Sequence, residues 1–186
     1  MRLWSRIAND FKVTREDVPR IEDTLFYDGP SRRRSLERFV LLMFFATLIV
    51  TYGVIADSTA TVIGAMLVAP LMTPVLAVAA AVVSGQRDRA LHSLLVVFIG
   101  VALAIGLALV IGMVYRSGII SITTNSQIVS RTSPRLVDLW AALGAGAVGA
   151  FATCRKDIAD SLPGAAIAIA LVPPLAIVGL TLLQGA

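Results

Sequence analysis

Five long apolar segments restrict what this chain can fold into. Each is near the twenty or so residues that an α-helix needs to cross about 30 Å of hydrocarbon. Lipid offers the backbone no hydrogen-bonding partner, so a segment of this length is stable there as a helix. Hydrophobic residues make up 57% of the 186 residues and charged residues 15%, a balance typical of membrane proteins. The sequence therefore predicts an all-α polytopic membrane helix bundle of about five spans, at 39–56, 59–83, 94–114, 137–152 and 162–183.

Prolines interrupt the second and fifth segments at matching places. Asp57 and Asp160 open the two segments, each is followed by serine, and Pro70 and Pro173 lie thirteen residues after them. A proline lacks the backbone N–H and frees the carbonyl one turn earlier. In a membrane such a break is tolerated only where protein or a cavity covers it. The pattern therefore predicts two proline-broken helices that meet at the binding site of a transporter.

The two matching segments also indicate an internal repeat. If every segment crosses the membrane once, the two broken segments run in opposite directions, as in inverted-repeat transporters. Few residues are identical between them, so chance similarity among small apolar residues is the alternative. A re-entrant hairpin at either break would also remove the inverted relationship.

Positive charge predicts the orientation. Nine Lys and Arg residues precede the first span, and a cytoplasmic N-terminus puts thirteen of the sixteen on that side. The positive-inside rule therefore predicts a multi-pass inner (plasma) membrane protein with its N-terminus in the cytoplasm and its C-terminus outside. The net charge of +4 does not indicate nucleic-acid binding, because the basic residues flank apolar spans and have little aromatic interleaving.

Residues 1–35 differ in composition and form a predicted cytoplasmic arm, with 36–186 as the transmembrane domain. Leu3, Ile7 and Phe11 recur every four residues, which is typical of an amphipathic helix lying on the inner leaflet. A basic cluster follows, where anionic lipid attracts each arginine by about 1 kcal/mol. Topology anchoring, anionic-lipid binding, a partner site and a regulatory role of the arm all fit this cluster. Its members are Arg32, Arg33, Arg34 and Arg38.

Small residues recur at every fourth position along three predicted spans. Helices in lipid associate by close backbone approach at such stripes, and pore lining is the alternative role. The stripes are numerous for one small bundle, so they predict a homo-oligomer as well as close packing within the chain. Their members are Ala77, Ala81 and Gly85 in the second span, Gly100, Ala104, Ala108 and Gly112 in the third, and Ala142, Gly146 and Ala150 in the fourth.

Asp57 and Asp160 support two interpretations. Each precedes a serine and an apolar helix, so each could cap the helix start by accepting a backbone N–H bond, which contributes about 1 kcal/mol. Alternatively, a carboxylate beside a broken helix coordinates a cation or exchanges a proton, because ionisable groups at membrane depth are costly and usually functional. The candidate solute or ion pathway comprises Asp57, Ser58, Gly64, Pro70, Thr73, Pro74, Asp160, Ser161, Pro163, Gly164, Pro173 and Pro174.

Enzyme signatures are largely missing from the sequence. With one His, one Cys and no paired metal-ligand spacing, the sequence predicts neither a metalloprotease nor a Cys-His nucleophile arrangement within one chain. The sequence has neither a Gly-x-Ser-x-Gly elbow nor a phosphate-binding glycine loop. We therefore expect no catalytic residues, no metal and no cofactor.

Two stretches carry a family resemblance. Residues 63–74 read Ile-Gly-Ala-Met-Leu-Val-Ala-Pro-Leu-Met-Thr-Pro, and residues 162–176 read Leu-Pro-Gly-Ala-Ala-Ile-Ala-Ile-Ala-Leu-Val-Pro-Pro-Leu-Ala. Through these motifs the chain, from about Leu36 to its C-terminus, resembles the prokaryotic uncharacterised hydrophobic domain family, which is family 389 among the domains of unknown function. The resemblance implies a multi-span inner-membrane protein and brings no settled activity. The matching positions, without assigned roles, are Gly64, Pro70, Pro74, Pro163, Gly164, Pro173 and Pro174.

These observations favour a membrane transporter whose partners are the lipid bilayer and a small solute or ion. We expect its site to lie between the two proline-broken helices. An ion channel is the near alternative. The alternative from another class is a non-transporting oligomeric scaffold or sensor, in which the small-residue stripes build the oligomer and the basic arm recruits lipid or a cytoplasmic partner.

Overall fold

The structure is a computed structural model that describes residues 25–26, 32–115, 124–132, 135–154 and 163–182. In these ranges the regular secondary structure is entirely helical, as the sequence predicts. The helices are α1 (Arg32–Ile55), α2 (Thr59–Val68), α3 (Met72–Val83), α4 (Arg87–Val114), α5 (Ser126–Thr132), α6 (Leu136–Cys154) and α7 (Pro163–Thr181).

Helices α4 and α7 form the centre of the packing. Helix α4 packs against α1, α3 and α7, and α7 also contacts α1, α2 and α6. One apolar core runs between them and takes fully buried side chains from each, among them Met43 of α1, Ala65 of α2, Ala104 of α4 and Ala176 of α7. The outward faces are apolar as well, which suits a protein surrounded by lipid.

The small residues of α4 bring neighbouring backbones close together. A Cβ added at Gly100 would lie 2.9 Å from both the Phe39 ring and Leu71 Cδ2. A Cβ added at Gly179 of α7 would lie 2.5 Å from the carbonyl oxygen of Ile105. The stripe along α4 therefore packs within the chain.

The other two stripes have different environments. Ala77 and Ala81 of α3 are fully buried, whereas Gly85 lies beyond the helix and ends it with a positive φ of 69°. In α6, Ala142 and Ala150 are exposed and Gly146 is half-buried, with open space where its Cβ would be. The α6 stripe thus packs little against the described part of its own chain.

The described helices contain fewer complete spans than the five predicted. Helices α1 and α4 are long and apolar enough to cross a membrane. Helices α2 and α3 are together long and apolar enough to cross a membrane, although they meet at an angle of 54°. Two further apolar helical stretches are shorter than a membrane span, namely Leu136–Ala150 and Leu171–Thr181. The membrane character is therefore supported, and five spans stay a prediction.

The second predicted break is not a break in the structure. Helix α7 runs without interruption through Pro173 and Pro174. The two prolines cannot donate to the carbonyls of Ile169 and Ala170, yet a helix continues through such a site when neighbouring helices support it. Here α7 contacts α1, α2, α4 and α6. Because one matching segment is broken and the other continuous, an inverted repeat is not supported.

Little of the predicted arm lies within the described residues. Helix α1 begins at Arg32 and so runs across the boundary predicted at residue 35. Leu25 and Phe26 are buried against Ala77 and Ala81 of α3, and the Arg89 guanidinium lies 4.8 Å from the Phe26 ring centre. The amphipathic helix predicted around Leu3, Ile7 and Phe11 lies outside the described residues.

Candidate functional site

The turn between α1 and α2 is closed by Asp57. Its backbone N–H donates to the Val54 carbonyl at 3.1 Å, and that of Ser58 donates to the Gly53 carbonyl at 2.9 Å. This pair of bonds is a Schellman motif, which places the residue after the C-cap in the left-handed region. Asp57 takes that position with φ 50°, although glycine usually does, as Gly85 does after α3. Aspartate is among the few non-glycine residues that tolerate this conformation.

The Asp57 carboxylate binds the start of another helix. Its Oδ1 accepts a hydrogen bond of 2.7 Å from the Ser126 hydroxyl and one of 3.2 Å from the backbone N–H of Gln127. The Ser126 hydrogen bond lowers the pKa of the Asp57 carboxyl, since it stabilises the charged form. Asp57 is exposed, and it is therefore an ionised carboxylate at neutral pH.

Two buried side chains, Asn125 and Gln127, also connect α5 to the turn between α1 and α2. Asn125 Nδ2 donates to the Val54 carbonyl at 2.7 Å, while its Oδ1 accepts from the backbone N–H groups of Gln127 and Ile128 at 3.0 and 3.2 Å. Gln127 Nε2 donates to Thr59 Oγ1 at 2.7 Å. Both side chains are buried, and Ile128 belongs to the main core. We call Asp57, Asn125, Ser126 and Gln127 the polar clip.

The cap of α2 is Ser58 and not Asp57. The Ser58 backbone is extended and its side chain accepts from the Thr61 N–H at 3.4 Å. The Asp57 carboxylate does accept a backbone N–H, as a helix cap does. That N–H belongs to Gln127 of α5 and not to α2. The corresponding residues of the fifth segment, Asp160 and Ser161, lie outside the described residues.

The break between α2 and α3 lies at residues 69–71. Ala69 is extended, with φ −68° and ψ 123°, because the ring of Pro70 disfavours the helical conformation of the residue before it. Pro74 lies in the first turn of α3, where a missing N–H costs little. Since neither proline has an N–H, the Met66 and Pro70 carbonyls lose their helical donors.

One side of the break is buried against the rest of the protein. Ala69, Leu71 and Pro74 are buried, and Leu71 packs against Gly100 of α4. Thr73 is half-buried at this point. Helix α7, which carries Pro173 in a buried and Pro174 in a half-buried position, packs against α2 and more weakly against α3.

Other predicted pathway residues lie away from the break. Helix α2 separates Asp57 from the break by ten residues, or about 15 Å. Gly64 lies on the exposed face of α2, with open space around it. Pro163 and Gly164 begin α7, nine or ten residues before Pro173. The structure thus assembles Pro70, Thr73 and Pro74 at one point, with α7 alongside, and puts Asp57 and Ser58 at the far end of α2.

The polar clip contains residues that the sequence interpretation missed. Asn125, Ser126 and Gln127 lie in a connection that the sequence marks only as rich in Ser and Thr. A polar Asn-Ser-Gln run just before Ile128 is a recognisable helix start, and its partners are about seventy residues away. Within the described ranges, no three His, Cys, Asp or Glu side chains are grouped as a metal site.

Comparison with known proteins gives a family and no activity. A family model described as a domain of unknown function (DUF389) matches residues 66–186, which include both proline motifs from Met66 onward. An uncharacterized protein of Methanocaldococcus jannaschii is 30% identical over 149 residues, or 78% of this chain and 44% of that protein. The chain therefore spans less than half the length of this curated relative. No solved structure matches the chain.

Proposed function

Since this chain belongs to the DUF389 family, whose description assigns no activity, we propose its function from its geometry: it is an integral inner-membrane transporter of a small solute or ion. The proposed site is the break between α2 and α3, both of which contact α7. The protein is oriented with its N-terminus in the cytoplasm.

The interrupted helix pair carries this proposal. A chain interruption at membrane depth is stable only where protein covers it or where it lines a cavity. In transporters, such interruptions supply carbonyl oxygens and helix ends to the solute. The break at residues 69–71 lies between two apolar helices at 54° and is buried against α4.

The chemistry at the break favours a cation as the solute. Proline removes the donors that would engage the Met66 and Pro70 carbonyl oxygens, and the C-terminal end of α2 carries partial negative charge. Thr73 adds a hydroxyl. Asp57, about 15 Å away along α2, attracts cations to that end of the helix. Its lowered pKa favours a permanent carboxylate over a proton carrier.

Charge movement in proteoliposomes on a solid-supported electrode tests the proposal. The protein is challenged with monovalent and divalent cations, protons, and small organic and inorganic anions. We expect a saturable, solute-dependent current, weakened by at least about ten-fold in Pro70→Ala and Thr73→Val. Asp57→Asn is expected to weaken it less. Gly106→Ala is the matched control, because Gly106 is exposed in α4 with nothing near its Cβ position.

Each result discriminates. Wild-type flux in folded Pro70→Ala and Thr73→Val would rule out this site, and a current that does not saturate would identify a channel. Silence to every charged solute, together with no uptake of radiolabelled ions or neutral solutes by the same vesicles, would exclude transport of the solutes tested.

The second candidate is a non-transporting oligomeric scaffold or sensor. The exposed stripe of α6 favours it, because Ala142, Gly146 and Ala150 offer a surface for close approach of another helix. We propose a homo-oligomer in either case. Deleting residues 1–30 separates the two functions: a scaffold loses lipid or partner binding, whereas a transporter keeps its flux.

A further inference from the structure

A wide-open, shallow groove of about 770 Å³ runs along one face of α1, from its basic first turn to its apolar middle, and its described lining comes from α1 alone. It is independent of the break between α2 and α3, and the proposed transport does not use it. Its lining changes along the helix from charged to apolar, in the order Arg32, Arg33, Leu36, Val40, Leu41 and Phe44, with Glu37 between the two parts.

The groove divides the four arginines of the basic cluster into two pairs. Arg32 and Arg33 line it, whereas Arg34 and Arg38 do not. At about 100° per residue, Arg34 lies at the flank of this face beside Leu41, and Arg38 lies farther round α1. A diffuse attraction to a charged surface would use all four residues alike. A groove that holds only one pair predicts a single bound molecule.

The charged part of the groove is suited to a phosphate. Arginine presents a planar fork of donors that matches phosphate oxygens. Arg32 Nη2 lies 3.3 Å from Nδ1 of His92 in α4. Arg33 Nε donates to Glu37 Oε1 at 3.0 Å, but both side chains are well exposed, and such pairs are held weakly.

From its second arginine to its apolar end, the groove has about the length of one leaflet. From Arg33 to Phe44 the helix rises about 16 Å, close to half of the roughly 30 Å hydrocarbon thickness. Helix α1 is long and apolar enough to span a membrane. Val40, Leu41 and Phe44 are 40%, 57% and 39% exposed. An exposed apolar surface of this length on a membrane-spanning helix contacts the acyl chain of a lipid.

We infer that this groove binds one anionic phospholipid. Its headgroup phosphate is held by Arg32 and Arg33, and one acyl chain lies along Leu36, Val40 and Phe44. The excess of positive charge over the single Glu37 carboxylate selects an anionic headgroup. The site goes beyond the proposed transport function and stands whether or not the protein moves a solute.

Native mass spectrometry of the full chain in detergent tests this site. The protein is doped with phosphatidylglycerol or with phosphatidylcholine of the same acyl chains. We expect one retained phosphatidylglycerol per chain and about ten-fold less phosphatidylcholine. The pair Arg32→Gln/Arg33→Gln lowers phosphatidylglycerol retention about ten-fold or more, whereas the matched pair Arg34→Gln/Arg38→Gln changes it less than about two-fold.

A second variant tests the acyl chain without touching the arginines. Val40→Trp fills the apolar part of the groove and is expected to reduce phosphatidylglycerol retention as much as loss of Arg32 and Arg33. Glycerol phosphate, which has the headgroup chemistry and no acyl chain, is not expected to compete. Each variant is checked by thermal unfolding. A double variant that unfolds at a lower temperature than the wild type is replaced by its two single substitutions, and Val40→Trp is replaced by Val40→Phe.

Four results would overturn the inference. Equal losses in the two arginine pairs would indicate a diffuse charge effect, and equal retention of the two lipids would indicate an apolar surface without headgroup recognition. Competition by glycerol phosphate with no effect of Val40→Trp would indicate a free phosphate site. Retention that occurs only after residues 1–24 are deleted would identify that segment as the occupant.

Discussion

Asn125 Nδ2 donates a 2.7 Å hydrogen bond to the carbonyl oxygen of Val54, 71 residues earlier in the chain. The bond joins α5 to the last turn of α1, where the Val54 carbonyl also accepts the backbone N–H of Asp57. Through the same residue, α5 receives its own N-terminal cap. One buried amide therefore satisfies the ends of two helices.

Asn125→Ala is expected to destabilise the protein. The substitution removes the cap of α5 and one of the two donors to the Val54 carbonyl, which keeps its bond from the Asp57 N–H, so we expect unfolding to become easier by about 1 kcal/mol. Asn125→Asp keeps the cap but not the donor and should fall between alanine and wild type. Thermal unfolding in detergent measures both. Ser130→Ala, in the exposed part of the same helix, is the control, and an equal loss there would contradict this account.

Substitutions at Asp57 separate its backbone role from its side-chain role. Asp57→Asn tolerates the left-handed conformation and still offers an oxygen to Ser126. Asp57→Gly keeps the backbone conformation but loses the side-chain bonds, and Asp57→Ala loses both. We expect thermal stability to fall in the order Asn, Gly, Ala. An alanine variant as stable as the glycine variant would show that the positive φ carries no strain.

The polar clip is expected to weaken in acid. Because its folded-state pKa lies below the ordinary value of 3.8, Asp57 contributes stability that is complete above that value and is lost as the pH falls through the lowered pKa. Ser126→Ala removes the main cause of the shift, so the folded-state pKa returns toward 3.8 and the loss of stability in acid becomes smaller. Unfolding temperatures from about pH 5 to about pH 2 measure it. Asp57→Asn, which cannot titrate, should not show this part of the pH dependence.

Two glycine substitutions test the packing of α4 against α7. Gly179→Ala would place a methyl group against the Ile105 carbonyl and the Ala108 methyl, so we expect a loss of about 3 kcal/mol. Gly106→Ala meets open space and is expected to leave stability unchanged or raise it by up to about 1 kcal/mol. Unfolding of the two variants in the same detergent makes the comparison. Equal stability would show that α7 can shift away from α4.

Gly146→Leu tests the proposed oligomer. The α6 stripe has open space at Gly146, so a larger side chain there does not disturb the described packing within the chain. It would keep a neighbouring protomer's helix at a distance. We expect the mass measured in detergent by light scattering to fall to a smaller assembly, with unfolding of the monomer unchanged. An unaltered mass would remove α6 from the interface.

The sequence predicts this structure well where local rules decide it. Proline at position 70 forces Ala69 to be extended, and the break follows. The same rule is wrong at Pro173, because contacts with several other helices keep α7 helical through both prolines. Local chemistry gives the cost of a proline, and only the surrounding packing decides whether a helix continues.

The polar clip could not be predicted from local pattern. Asp57 followed by Ser58 fits a cap of the next helix, and the structure assigns that task to Ser58 alone. The partner of Asp57 is Ser126, 69 residues away. No periodicity or spacing joins these positions, because the contact exists only after the helices between them have packed.

Backbone contact at Gly179 also limits how the molecule can move. Sliding α7 by one turn, about 5.4 Å, would bring Leu175 to the position of Gly179, where even a methyl group lacks room against the Ile105 carbonyl. Helices α4 and α7 therefore behave as a fixed frame. Pro70 cannot donate to the Met66 carbonyl, so under the proposed transport a movement of α2 against this frame would bend the chain at residues 69–71.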